Sequence, residues 1–338
     1  MKIAVLGLGF MGSTHLKAYK KIPGVQLVAV ASNEEKQLTG DLSGVQGNIG
    51  GPGETLDFSA VRKYRDPLEA VNDPDADAVD ICLPTHQHAE AALGALRAGK
   101  HVLVEKPMAL DGATADCILA EAERSGKILM SAQVLRFIPE YRAATERIRS
   151  GAIGPVRSAL FRRRCAAPFW SQWLSNPEQS GGGVFDLLIH DIDYCVHAFG
   201  TPQAVSARGH EALAQGIDTI VAELHYPNIG SVTVQGGWHH PKAFPFSMEY
   251  TIVADGGTLE FSSAGRPLTL FTDKGEAQPV ELDPTDGYQA EIAYFVECAS
   301  NGRQPDFCPP RESAKSIKLA RLMLESRKRN GETIECKL

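Results

Sequence analysis

Residues 1–12 read Met1-Lys2-Ile3-Ala4-Val5-Leu6-Gly7-Leu8-Gly9-Phe10-Met11-Gly12. Lys2–Leu6 is a short apolar run of the kind a strand buried on both faces requires, and a Gly-x-Gly-x-x-Gly follows it at once. A helix pattern then runs from about Met11 to Lys21. In that strand–turn–helix setting each glycine has a task. Gly7 permits the tight turn, Gly9 lets the backbone approach a pyrophosphate, and Gly12 lets helix and strand pack closely. The helix N-terminus presents its unpaired N–H groups to the phosphates. The spacing predicts a dinucleotide site on Gly7, Gly9, Phe10, Met11 and Gly12. A glycine turn that binds nothing is the bland alternative, and the position between strand and helix argues against it.

The alternation continues outward from this turn. Val25–Ala31, Ala78–Leu83, His101–Val104 and Ile128–Ala132 read as strands, and His88–Ala98 and Ala113–Ser125 as helices, with Gly99 placed to end the first of them. A further helix at Pro67–Val71 has Asp66 as its cap. Such β-α-β order predicts a parallel sheet with helices on both faces. The glycine-rich stretch Gly40–Glu54 interrupts it and reads as a surface loop. After about residue 155 the chain changes to short β-rich runs (Arg157–Arg164, Ala204–His210, Thr219–Tyr226, Ser231–Trp238, Ser247–Val253, Thr258–Phe261, Leu268–Thr272) at antiparallel meander spacing. Two helix patterns, Tyr288–Ser300 and Arg311–Arg329, close it. The fold class is an α/β Rossmann domain, residues 1–132, joined to an α+β domain, residues 133–338, whose last helix is free to pack back on the first.

Composition narrows the function classes. The 338 residues are 43% hydrophobic and 22% charged with a net charge of −7, which argues against a general nucleic-acid binder. No secretory leader precedes Lys2 and no apolar run is long enough for a bilayer, so neither export nor a membrane partner is expected. Seven scattered cysteines without a Cys-x-x-Cys pair read as reduced thiols of a cytoplasmic protein.

Three further clusters carry chemistry. Glu105-Lys106-Pro107 ends a strand, where ligands of an open parallel sheet sit. Lys106 there is either a proton donor and acceptor for a substrate oxygen or a surface lysine paired with Glu105. Gly181-Gly182-Gly183 precedes Asp186 and His190, which share a helix face four residues apart. They form either an acid–base pair or a helix-start carboxylate and a core histidine. Asp193 lies on nearly the same face, but a metal triad lacks any further clustered ligand, and no metal is expected. Leu83-Pro84-Thr85-His86-Gln87-His88 borders the same crevice, with Thr85 open to simple capping. At the end of the second strand Ser32 and Asn33 stand where NAD enzymes carry a ribose-binding acid. Loss of the acid tilts the cofactor from NAD toward NADP, although Lys36 is the nearest cation.

The glycine fingerprint, Glu105-Lys106-Pro107 and Gly181-Gly182-Gly183…Asp186…His190, in this order over essentially the whole chain, resemble the Gfo/Idh/MocA family. The resemblance implies NAD(P)-dependent hydride transfer at a hydroxyl or ketone of a sugar, cyclitol or related polyol, with Lys106 and His190 as acid–base groups and Asp186 orienting the substrate. It implies cofactor contacts from Pro84, Thr85, His86, His88, Glu105 and Pro107, and a homodimer or homotetramer formed through the second domain's open sheet. Relatives of other kinds leave two alternatives, redox-assisted elimination or glycoside cleavage with a recycled cofactor, and a non-catalytic dinucleotide sensor. Phe169, Trp170 and Trp173, in the segment Cys165–Asn176, read equally as sugar-stacking aromatics or as core.

Overall fold

A computed structural model describes residues 1–47, 53–168, 171–273, 275 and 277–338. The chain divides into two compact units, the first Met1–Val134 with Asp286–Ala314, the second Leu135–Thr285 with Lys315–Leu338.

Unit 1 opens with β1 (Lys2–Leu6), α1 (Phe10–Tyr19), β2 (Gln26–Ala31), α2 (Glu35–Leu38), β3 (Arg62–Tyr64), α3 (Pro67–Ala70), β4 (Ala78–Ile81), α4 (Thr85–Arg97), β5 (His101–Glu105), α5 (Gly112–Ser125) and β6 (Leu129–Ala132). The six strands form one parallel sheet in the order β3-β2-β1-β4-β5-β6. The direction of winding reverses between β1 and β4, which opens a crevice at their carboxyl ends. Register sets Leu6 beside Ile81 and Ile81 beside Val104, so the turns after β1, β4 and β5 leave the sheet along one edge. Ile3–Leu6, Val79, Ile81 and Val102–Val104 have no solvent exposure, as expected of strands covered on both faces. Asp66 caps α3 by accepting the Leu68 N–H at 2.8 Å. Gly99 and Gly126, just past α4 and α5, take the left-handed conformation in which a Cβ is disfavoured.

Unit 2 contains α6 (Pro139–Arg149), β7 (Val156–Ala166), α7 (Pro177–Ser180), α8 (Gly183–Phe199), β8 (Ala204–Ala212), β9 (Ile217–His225), β10 (Ser231–His240), β11 (Ser247–Ala254), β12 (Gly257–Ser262), β13 (Arg266–Phe271) and β14 (Gln278–Pro279). The chain then forms α9 (Gly287–Asn301), which packs on α1 in unit 1, α10 (Pro310–Lys328), and β15 (Ile334–Glu335). The unit boundary at 314/315 falls inside α10. The second sheet has the order β14-β13-β12-β11-β7-β10-β9-β8-β15. It is antiparallel except for one pair: β7 runs parallel to β10, because α7 and α8 intervene before the chain returns to the sheet. The expected meander is therefore interrupted at its centre.

One face of this sheet carries α8, which packs on β7, β9 and β10. Phe161, Tyr250, Val234 and Leu224 point inward, and Tyr141 meets the rings of Tyr194 and Tyr250 edge-to-face at 4.9 and 5.0 Å. The start of α8 is held from a distance. Gly182, at φ 91°, opens the helix, and Asp218 on β9 accepts the Val184 N–H at 2.9 Å while pairing with Arg327 at 2.5 Å. Asp218 is 1% exposed, so removing its carboxylate uncaps the helix and takes from the nearly buried Arg327 one of its acceptors, leaving it Glu211 and the Thr219 carbonyl. Asp218→Ala is expected to cost about 1–3 kcal/mol of stability, read as a fall in the urea midpoint; an unchanged midpoint would show that solvent or Glu211 replaces what Asp218 supplies to Arg327 and Val184.

Candidate active site

The glycine turn has the geometry of an anion cradle. Gly7 takes φ 89°, and a Cβ on it would lie 2.5 Å from the Cys82 carbonyl oxygen. A Cβ on Gly12 would lie 1.9 Å from the Gly7 carbonyl oxygen, so only glycine lets α1 start this close to β1. Gly9 differs: among the described residues no atom lies within 4 Å of where its Cβ would be. Gly9 supplies α1 with no side-chain cap, and the first turn carries no acidic residue. The positive end of the helix dipole at Phe10, Met11 and Gly12 faces this opening. The residues present fit the pyrophosphate of a dinucleotide.

The turns after β4 and β5 are tied to each other. His88 is buried, its Nδ1 lying 2.8 Å from the Pro107 carbonyl oxygen and its Nε2 2.7 Å from that of Leu83. Burial lowers its pKa below the ordinary histidine value while the two carbonyls act in the opposite direction, and the ring lies between the two loops and links them. Thr85 is buried as the first residue of α4, with Pro84 at the cap position, while His86 is exposed. In the run 102–109 every residue is buried except Lys106. Its backbone N–H donates to Glu105 Oε2 at 3.0 Å, and the Lys106–Pro107 peptide is cis.

Helix α8 shows the same pattern. From Gly183 to His197 its residues are buried except Asp186 and His190, which stand one turn apart and half-buried. The neighbouring carboxylates have other partners. Asp191 pairs with Arg163 at 2.6 Å, and Asp193 with Arg136 at 2.7 Å, both inside unit 2. Asp193, which shares His190's face by spacing, is also reached by the Ser316 hydroxyl at 3.0 Å. The glycine triplet permits close packing as well, since a Cβ on Gly183 would lie 2.4 Å from the Trp238 ring. Trp173 is half-buried and packs against Cys165, Leu174, Leu187 and Trp238, which joins both readings of that aromatic: one side in core, the rest accessible. Phe169 and Trp170 lie outside the described residues.

At the adenosine end of the crevice Ser32 is buried. Its hydroxyl donates to Gln37 at 2.6 Å and accepts the Glu34 N–H at 3.1 Å. Asn33 is exposed. Two cations stand on this rim, Lys36 paired with Asp41 and Arg65 paired with Glu35. Arg65 follows β3, and its nearness to the end of β2 is a product of strand order that no local pattern signals. The glycine-rich loop is closed at its base by hydrogen bonds from Leu42 N–H to the Glu54 carbonyl and from Leu56 N–H to the Gly40 carbonyl. Gly47 lies against the Phe10 ring, which a Cβ would approach to 2.2 Å. The loop thus reaches the glycine turn; its residues 48–52 lie outside the described residues. Beside it a cleft of about 390 Å³ runs along α1 between Phe10, Lys17, Lys21 and Tyr288.

A Rossmann unit with an open anion cradle and an accessible lysine, in one chain with a carboxylate–imidazole pair on a buried helix, defines a dinucleotide-dependent oxidoreductase. Residues 1–133 match the oxidoreductase family model with an NAD-binding Rossmann fold, and residues 141–260 match the GFO/IDH/MocA C-terminal domain. The chain belongs to the Gfo/Idh/MocA family and is an NAD(P)-dependent oxidoreductase. It is 26% identical to the myo-inositol 2-dehydrogenase of Thermotoga maritima over 98% of this chain and 96% of that protein. It is 32% identical to the 4-carboxy-2-hydroxymuconate-6-semialdehyde dehydrogenase of a Sphingobium species over 90% of this chain and 92% of that one. A solved levoglucosan dehydrogenase, in complex with NADH and levoglucosan, is similar in fold with a TM-score of 0.85 at 19% identity, covering 100% of both chains. Among the described residues no helix is long and apolar enough to cross a membrane.

The open space at Gly9 separates binding from folding. Gly9→Val is expected to weaken dinucleotide binding by about tenfold or more, read by calorimetry, and to move the stability of the unliganded protein by no more than about 0.5 kcal/mol. Wild-type affinity in that variant would mean that the pyrophosphate does not approach Gly9.

Proposed function

We propose that this enzyme moves hydride between NAD(P) and a carbon bearing a hydroxyl or ketone of a sugar, cyclitol or related polyol. The observation that carries the reading is the accessibility pattern: Lys106, Asp186 and His190 are the partly exposed members of runs that are otherwise buried. Polar side chains kept open in apolar surroundings are suited to act on a bound molecule. The nicotinamide ring, when bound, accepts or donates the hydride. The chain's own part is positional and protonic. Lys106 holds the reacting oxygen by a hydrogen bond, His190 takes the hydroxyl proton in oxidation and returns it in reduction, and Asp186 orients a neighbouring hydroxyl. The names of the Thermotoga relative and of levoglucosan dehydrogenase, both polyol or sugar enzymes, support the substrate class.

The rim at Ser32 favours NADP in this reading. Ser32 and Asn33 put no carboxylate at the ribose position itself, and the nearby cations Lys36 and Arg65, each paired with an acid (Asp41 and Glu35), would have to exchange that partner for a 2′-phosphate. Association into a homodimer or homotetramer is part of the same proposal. Leu160, Val221, Val253 and Phe271, on β7, β9, β11 and β13, are exposed on the second sheet, and a second copy would cover them.

Lys106→Ala is expected to lower turnover by about a hundredfold or more with cofactor affinity within about threefold of wild type; unchanged turnover would refute the assignment. Ser32→Asp is expected to shift the ratio of affinities toward NAD by about tenfold through charge repulsion of the 2′-phosphate, measured by calorimetry with both cofactors. An unchanged ratio would show that the 2′ position lies elsewhere.

A further inference from the structure

His15, on the second turn of α1, is fully buried between two carboxylates of unit 1. Its Nδ1 is 2.8 Å from Asp80 Oδ2 on β4. Its Nε2 is 3.1 Å from Glu105 Oε1 at the end of β5, an ion-pair contact lying off the ideal hydrogen-bond line. The other Glu105 oxygen accepts the backbone N–H of Lys106. One imidazole therefore links the helix that starts at the glycine turn to the peptide that carries the lysine.

We propose that His15 is a positioning residue: as an imidazolium bridging Asp80 and Glu105, it fixes the Glu105 carboxylate and, through it, the backbone of Lys106. The proposal rests on the catalytic reading of Lys106 given above. A neutral imidazole has one N–H and would turn a lone pair toward one of the two carboxylates, whereas an imidazolium serves both. Burial by itself lowers the histidine pKa, but the Asp80 charge and hydrogen bond outweigh it and hold the ring well above its ordinary value. The other groups facing the ring, Cys82 and Tyr19, are held toward their neutral forms by burial and the nearby acids. Cys82 lies 3.5 Å from Nδ1 with its thiol pushed upward by burial and by Asp80. Tyr19 is pushed upward too, by burial first and then by Asp80, with a smaller contribution from Glu291 of α9. Among the described residues, His15, Asp80 and Cys82 cluster closely enough to be considered as metal ligands. The 2.8 Å contact between Nδ1 and Oδ2 is a hydrogen bond already made, and it favours a proton there.

The consequence is a mechanical one. The pyrophosphate end of the cofactor site and the lysine turn share a single buried ion cluster, so disturbing His15 should act on turnover more than on cofactor binding. In His15→Gln, and in Glu105→Gln as a nearly isosteric second variant, kcat is expected to fall about tenfold to a hundredfold, with cofactor affinity and KM within about threefold of wild type. Adding His15→Gln to Lys106→Ala should produce no further fall, since the positioned group is already gone. Nitrogen NMR of the whole protein labelled at histidine should show both His15 ring nitrogens protonated at neutral pH. A ring nitrogen without its proton overturns the bridge. Loss of turnover in Lys106→Ala with full turnover in either His15→Gln or Glu105→Gln overturns the positioning role alone, whereas full turnover in Lys106→Ala overturns the catalytic reading and the positioning role together.

Discussion

Helix α1 begins against the carbonyl of Gly7 because Gly12 has no Cβ to keep it away, and most of the cofactor unit follows from that approach. It places the helix N-terminus at the point where the sheet's winding reverses. It leaves Gly9 facing open space, and it sets His15, one turn further on, between the ends of β4 and β5. Substituting the close pair would displace helix, cradle and buried cluster together. Two glycine-bearing helix starts, those of α1 and α8, are treated in opposite ways. The start of α8 is closed by Asp218, and the start of α1 is left without a side-chain cap. A satisfied helix end is architecture, whereas an open one at a switch point is a place for phosphate.

The second constraint is selective burial. Helix α8 keeps two acidic side chains inside by giving each an arginine, Arg163 for Asp191 and Arg136 for Asp193. Buried charges need such partners. Asp186 and His190 are on the remaining, accessible strip of the same helix. Lys106 is partly exposed in the same manner at an otherwise buried strand end. The fold thus buries some of these acidic and basic groups in ion pairs and keeps others partly accessible, although they are neighbours in sequence.

Much of this is legible in the residues. The turn after β1, the Asp66 cap and the left-handed glycine after α4 are set by interactions within a few residues, and they appear where the sequence puts them. Asp186 and His190 are legible because helical periodicity alone places them one turn apart. What the sequence hides is non-local. Nothing near Asp218 marks it as the cap of a helix 34 residues earlier. Asp193 looks equivalent to Asp186 until Arg136, 57 residues upstream, takes it. His15 resembles any helix residue before Asp80 and Glu105 arrive from separate strands. The parallel pairing of β7 with β10 escapes because strand direction in a sheet is decided by the connection, here through α7 and α8. β3, with the sequence Arg-Lys-Tyr, is too short and too polar to announce itself, and Arg65 behind it goes unnoticed for the same reason.

The central claim is that the chain is a hydride-transferring enzyme acting on polyol or sugar carbons. It is tested most directly by titrating the purified protein with both oxidised nicotinamide dinucleotides and then following nicotinamide absorbance across a panel of sugars and cyclitols. The account predicts binding of at least one dinucleotide and a stoichiometric, substrate-dependent rise in the reduced cofactor. Binding with no net absorbance change across a broad panel would contradict net hydride transfer to such substrates, and failure to bind either dinucleotide would contradict the whole reading.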